Sequence, residues 1–266
     1  MSTSTPSSLP SFIDPLAAAI PTSAGTITSP FYGILASTRR SGGSSAHPLA
    51  LSHVLADDGT VFLIAYASRT APILNDLKHT NVVELAIQTP GGIWRVDGKS
   101  SIACAPSLLM RFPPPRVHQE EDPRLYWERH RLSVFMRLSA KQRALYLLPP
   151  AYESVRHAKE IVAEVPTPEG ETVDALAERL FGVMSLTSSV LSANSSPAAG
   201  PATAPVALPA TKQSNFEFAL EEFVLVVIKL TKVDLLEYGS EVADFQRLVW
   251  TLNKDGSWRS AETVSP

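Results

Sequence analysis

Ser68, Arg69 and Thr70 stand directly after the apolar run Val61 to Tyr66 (VFLIAY) and just before Pro72. The run is rich in β-branched and aromatic residues, which predicts a buried strand. Pro72 suits the first turn of a helix, with Thr70 or Ala71 as its N-cap. A strand-to-helix turn of this kind aims backbone N–H groups, two hydroxyls and one guanidinium at one point. That chemistry suits an anion, above all a phosphate. The competing reading is an ordinary turn carrying a solvated arginine. Arg95 lies between Trp94 and Val96 on a second predicted strand and so faces opposite to both. It can reach a ligand or pair with Glu84 across a hairpin, and the cross-strand pair is the commoner arrangement.

Other chemistries are excluded by what is missing. The six histidines, His47, His53, His79, His118, His130 and His157, form no pair one helical turn apart, so no metal site is expected. No Gly-x-Ser-x-Gly, P-loop or Gly-x-Gly-x-x-Gly occurs. The net charge of -3 argues against a nucleic-acid or anionic-membrane partner. Cys104 is the single cysteine, which excludes an intramolecular disulfide and fits a reducing compartment. The first basic residue is Arg39, so the N-terminus reads as neither secretory signal nor transit peptide. No apolar run reaches the length of a membrane span, and even VLVVIKL is interrupted by Lys229. The expectation is a soluble, cytoplasmic protein.

The elements that must position the turn follow from pattern. Residues 1–11 read as a disordered tail, and Phe12 to Ile20 as a short helix with Asp14 capping it. Phe31–Thr38, Pro48–Leu55, Val61–Tyr66, Val82–Gln88 and Ile93–Cys104 are predicted strands, joined by RRSGGSS, by Asp57-Asp58-Gly59 and by Pro90-Gly91-Gly92. A helix is expected from Asp122 to Leu138, and Ser139 with Gln142 opens another as in a capping box. The basic stretch Arg124 to Arg137 reads as a solvated helix face. Val155–Glu164 and Glu171–Leu186 carry helical patterns. Residues 187–214 are a low-complexity Ser/Ala/Pro/Thr loop expected to be disordered. Phe223–Lys229, Lys232–Glu237 and Asp244–Leu252 complete the strands, and Trp127, Trp250 and Trp258 are assigned to the core or to a subunit contact. The division is thus 12–150 and 215–266 for one sheet, with 151–186 a helical insertion and 187–214 a loop.

The order of these pieces resembles the pyridoxamine 5′-phosphate oxidase superfamily of FMN-binding split barrels. FLIAYASRT is similar to its strand ending in Ser-Arg-Lys, and FYGILAST with HPLALS to its first hairpin. IWRVDGKSSI is similar to its Arg-x-x-Gly strand, LSAKQRALYLLPP to a helix and double-proline segment of one cofactor-binding branch, and VLVVIKLTKVDLLEY to its C-terminal strands. The resemblance implies an antiparallel split β-barrel with flanking helices, a homodimer, FMN as cofactor and, if the protein is an enzyme, flavin-dependent oxidoreductase chemistry on an unassigned small molecule. It places His47, Ser68, Arg69, Thr70 and Arg95 near the flavin. The sequence departs from the family at four places. The phosphate-binding lysine is Thr70, the first-strand arginine is His47, the second basic residue of that strand is Ser52, and the ring-contacting glutamine is Ile93. At mildly acidic pH His47 can carry a charge toward a phosphate. The alternative is a non-catalytic split-barrel interaction module that has lost its flavin.

Overall fold

The computed structural model describes residues 9–22, 25–57, 59–105, 112–117, 122–148, 164–179, 210–239 and 245–264. The predicted tail up to residue 8, the Val155–Glu164 helix up to residue 163, and the loop up to residue 209 lie outside them. In chain order the elements are α1 (Ile13–Ala19), β1 (Phe31–Thr38), β2 (Ser44–Asp57), β3 (Thr60–Ser68), α2 (Pro72–Leu77), β4 (Val82–Thr89) and β5 (Gly92–Ala103). Then come α3 (Pro123–Arg137), α4 (Ala140–Ala144) with a 3-10 turn (Leu145–Leu147), helical residues 173–179 as α5, α6 (Ala210–Glu222), β6 (Phe223–Glu237), β7 (Gln246–Thr251) and β8 (Glu262–Val264). No helix among the described residues is long and apolar enough to cross a membrane.

The eight strands form one antiparallel sheet in the order β3-β2-β1-β4-β5-β6-β7-β8, and β3 also pairs with β6. That extra pairing closes the first six strands into a ring. The ring is split along one edge of β6. Phe223 to Lys229 pair with β3, while Lys232 to Glu237 pair with β7 on the same side. Between the two halves the β5–β6 register shifts at Asp97/Gly98, and the Thr231 hydroxyl bonds Asp97 O at 3.1 Å. The extra residue reverses the alternation of side chains. Val224, Val226, Ile228 and Leu230 face the inner core before it, and Val233 and Leu235 after it. The sequence predicts two strands here; without Gly or Pro between Lys229 and Lys232, a bulge makes them one.

Two apolar layers result. Inside the ring, Leu49, Leu51, Leu63, Ala65, Leu85 and Val96 pack together, with α1 plugging one side through Phe12 and Leu16. Outside it, Phe62, Ile64 and Tyr66 of β3 and Leu225 and Val227 of β6 are covered by Trp127, Leu132 and Phe135 of α3 and by Phe216 and Leu220 of α6. Trp127 and Trp250 are buried, and Trp258 packs edge-on against Phe12 at 4.8 Å. The helices leave the outer face of β1 bare, where Tyr32 and Ile34 are 53% and 50% exposed.

Several caps act as the sequence implies. Asp122 accepts from Arg124 N–H at 2.8 Å and Ser139 from Gln142 N–H at 3.3 Å. Asp14 lies in the first turn of α1, whose N-cap is Phe12, and makes no side-chain cap bond. Residues 210–214, assigned to the loop from composition, begin α6. The α3 face is not simply solvated: Glu128 and Arg131 are 3% and 1% exposed, with Arg131 Nε 2.8 Å and Nη2 2.6 Å from the Glu128 carboxylate.

Candidate functional site

The turn forms where β3 ends. Ser68 shares the outer face of β3 with Tyr66, and its hydroxyl lies 2.9 Å from the Thr70 hydroxyl. Ala71, with no side-chain cap bond, is the N-cap of α2, and Pro72 opens a helix of six residues. The expected cradle of unpaired backbone donors is absent. Arg69 N–H donates to Glu222 O at 2.7 Å, Thr70 N–H to Ser68 Oγ at 3.3 Å and Ala71 N–H to Ser68 O at 2.9 Å. The reason is local: α6 runs directly into β6, so its last residue lies beside the end of β3, where Phe223 is in register with Ser68.

The guanidinium of Arg69 is held by two carboxylates. Its Nη2 donates to Glu222 Oε1, and its Nη1 lies 3.4 Å from Glu221 Oε1. Glu222 is buried and Glu221 exposed. Glu222 therefore grips Arg69 at both ends, through its own backbone carbonyl and through its side chain. The segment carrying it is fixed from behind, because Arg131 Nη1 donates to Leu220 O at 2.6 Å and Phe223 O at 2.9 Å.

His47 and Arg95 are placed elsewhere. His47 shares the inner face of β2 with Leu49 and Leu51, and its Nε2 is 3.4 Å from Asp76 Oδ2 on α2, which Ser45 Oγ also bonds. Arg95 Nε donates to Glu84 at 3.0 Å, the cross-strand pair expected from sequence, and this partner raises its pKa. Arg95 is in register with Asp234, while Ser68 is in register with Phe223. At about 3.3 Å per residue these positions are roughly 35 Å apart along β6. One chain thus brings Ser68, Arg69 and Thr70 together, sets His47 on the opposite face of the sheet and leaves Arg95 at the other end.

Pattern reading missed buried hydroxyls near the same junction and the carboxylates that hold Arg69. Among the described residues Tyr66 Oη is buried without a hydrogen-bond partner, and burial pushes its pKa up to about 12. Tyr146 is raised for the same reason, and both rings pack on Phe223, at 5.7 and 5.2 Å. Glu221 and Glu222 were the available signal: of two acidic residues immediately before the apolar run Phe223–Ile228, one that is buried calls for a cation. Among the described residues no group of three or more His, Cys, Asp or Glu stands close enough to hold a metal.

A phosphate monoester needs donors and positive charge. The Ser68 and Thr70 hydroxyls, and the guanidinium N–H groups not directed at Glu221 or Glu222, are of the right type for its oxygens. The donor set fits such a group. The charge around it is one cation against two carboxylates.

No family model matches the sequence, and no curated protein matches it. Solved structures do match in fold. A pyridoxamine 5′-phosphate oxidase-related, FMN-binding protein from Nostoc punctiforme PCC 73102 superposes with a TM-score of 0.55 at 16% identity, covering 97% of this chain and 100% of that one. PhzG from Burkholderia lata 383, solved with tetrahydrophenazine-1-carboxylic acid, gives a TM-score of 0.46 at 14% identity over 89% and 83% of the two chains. A general stress protein 26-related protein of the pyridoxinephosphate oxidase family, from Clostridium acetobutylicum, gives 0.36 at 6% identity over 91% and 94%. Strand order, the ring closed by β3 and β6 and the end-to-end match with the Nostoc protein identify the fold as the mainly antiparallel split barrel of pyridoxamine 5′-phosphate oxidase-like proteins.

Proposed function

We propose that this chain binds a flavin at the end of β3, with FMN as the expected cofactor, and that it works as a homodimer. The carrying observation is the clustering of the Ser68 and Thr70 hydroxyls with Arg69, at the place where sequence alone puts an anion site. The end-to-end likeness to an FMN-binding protein supports this reading at the level of fold. FMN, when bound, supplies hydride and electron transfer. The chain's own part is to hold and orient it: Ser68 and Thr70 donate to phosphate oxygens, with Arg69 behind them. The bare face carrying Tyr32 and Ile34 is the proposed subunit contact, since large apolar side chains exposed side by side on a sheet favour being covered. An oxidoreductase acting on a small molecule is the enzymatic form of this proposal.

The second reading is a binding or interaction module without flavin chemistry. The capture of Arg69 by Glu221 and Glu222 favours it. Purification separates the two. A yellow protein that releases FMN on denaturation supports the first, and a colourless protein that quenches no added flavin fluorescence supports the second. Sedimentation at micromolar concentration tests the dimer, and a monomer there refutes it.

A further inference from the structure

We infer that Glu222 is a specificity-determining residue that sets the site against phosphate, so that a flavin is held with little regard to whether it is phosphorylated. The inference rests on the flavin reading above and concerns which flavin is taken.

The geometry behind it is a closed circuit. The guanidinium of Arg69 reaches the Glu222 carboxylate, and the Arg69 N–H reaches the Glu222 carbonyl. Glu222 is buried, so its carboxylate has little water to fall back on if Arg69 leaves. Nor is its backbone free to follow a departing Arg69, because Arg131 ties the carbonyls of Leu220 and Phe223 on either side. A phosphate entering here finds Arg69 already neutralised and Glu221 adding a second negative charge. Like charges at close range oppose a dianion. The position that supplies a phosphate-binding lysine in the resembling family is Thr70, which offers a hydroxyl and no charge. Uncharged donors remain in the paired hydroxyls of Ser68 and Thr70. These suit hydroxyl-bearing chains such as a ribityl group as well as they suit a phosphate.

The test is a fluorescence titration of FMN and riboflavin into the full chain, at neutral pH and low salt. The proteins are wild type, Glu222→Gln, Glu221→Gln and the double variant Arg69→Ala/Glu222→Gln. The wild type is expected to bind the two flavins within a few-fold of each other. Glu222→Gln releases Arg69 and shifts the preference toward FMN by about ten- to a hundredfold, and the double variant loses that gain. Glu221→Gln, at an exposed position, gives a smaller shift in the same direction. Should Glu222→Gln fail to fold by circular dichroism, the wild-type ratio and Glu221→Gln decide. A wild type that already prefers FMN by tenfold or more, or an unchanged ratio in Glu222→Gln, overturns the inference and leaves flavin binding intact. No binding of either flavin by any of the four proteins removes the flavin reading, and this inference with it.

Discussion

Replacing Arg131 with methionine removes the buried cation that joins α3 to the α6–β6 junction. Arg131 is 1% exposed, and it satisfies the 3%-exposed Glu128 with two bonds of 2.8 and 2.6 Å. It also satisfies the carbonyls of Leu220 and Phe223. The variant strands a carboxylate, which costs about 3–5 kcal/mol when a buried pair is broken from one side. The two carbonyls add about 1 kcal/mol each if neither finds water. The sum, about 5–7 kcal/mol, is comparable with the whole stability of an ordinary domain, roughly 5–15 kcal/mol. The double variant Glu128→Leu/Arg131→Met removes the stranded charge and leaves only the carbonyl cost, about 2 kcal/mol. Urea unfolding of wild type, both single variants and the double variant, followed by tryptophan fluorescence, gives the coupling directly. The expected pattern is that the double variant is more stable than Arg131→Met by about 3 kcal/mol or more. A cost below 1 kcal/mol for Arg131→Met, or a double variant weaker than either single one, refutes the reasoning.

Two further outcomes are expected. At Gly98 an added Cβ would lie 2.5 Å from Lys229 O and 2.7 Å from Ile228 Cγ2, so Gly98→Ala is expected to lower stability by about 1–3 kcal/mol, whereas Gly91→Ala, with nothing within 4 Å, leaves the urea midpoint nearly unchanged. His53 sits 6.4 Å from the His130 ring, and burial, with His130 and Arg137 nearby, lowers its pKa to about 4. The unfolded chain takes up this proton near pH 6.5 and the folded chain does not, so stability falls as pH drops from 6.5 toward 4. The loss is about 2 kcal/mol after allowing for partial exposure, and thermal unfolding of wild type against His53→Gln across that range shows a smaller pH slope in the variant.

Much of the fold could be read along the chain because its signals are local. Val61 to Tyr66 declares a buried strand by composition, Asp122 and Ser139 declare helix starts by capping, and Glu84 and Arg95 declare a cross-strand pair by charge and spacing. What escaped depends on partners far away in sequence. The apolar residues Phe216, Ala219, Leu220 and Phe223 recur at helical intervals, yet they stand between a long Ser/Ala/Pro segment and a strong strand signal, and the sequence reading places them with the C-terminal strands rather than in a helix. The bulge that keeps β6 a single strand is set by Asp97 and Gly98 on the neighbouring strand. The same holds for the site. Ser68, Arg69 and Thr70 are recognisable as a turn, but the carboxylates that capture Arg69 arrive from about 150 positions later. Burial of Arg131 needs both α3 and α6 before it makes sense.

The pairing of β3 with β6 also has a consequence during synthesis. Ala65 meets Val226 in this ladder, so the ring stays open until the ribosome has delivered β6. Ala103 ends β5 and Phe223 begins β6; at about 5–20 residues per second, translation of the roughly 120 residues between them takes about 6–24 s. For that interval the apolar strands β3 and β5 each lack a neighbour on one side, and the nascent chain offers two sticky edges to anything nearby. Chaperone engagement is expected to concentrate in this window, and slowing translation between β5 and β6 is expected to lengthen it and raise the aggregated fraction of newly made protein.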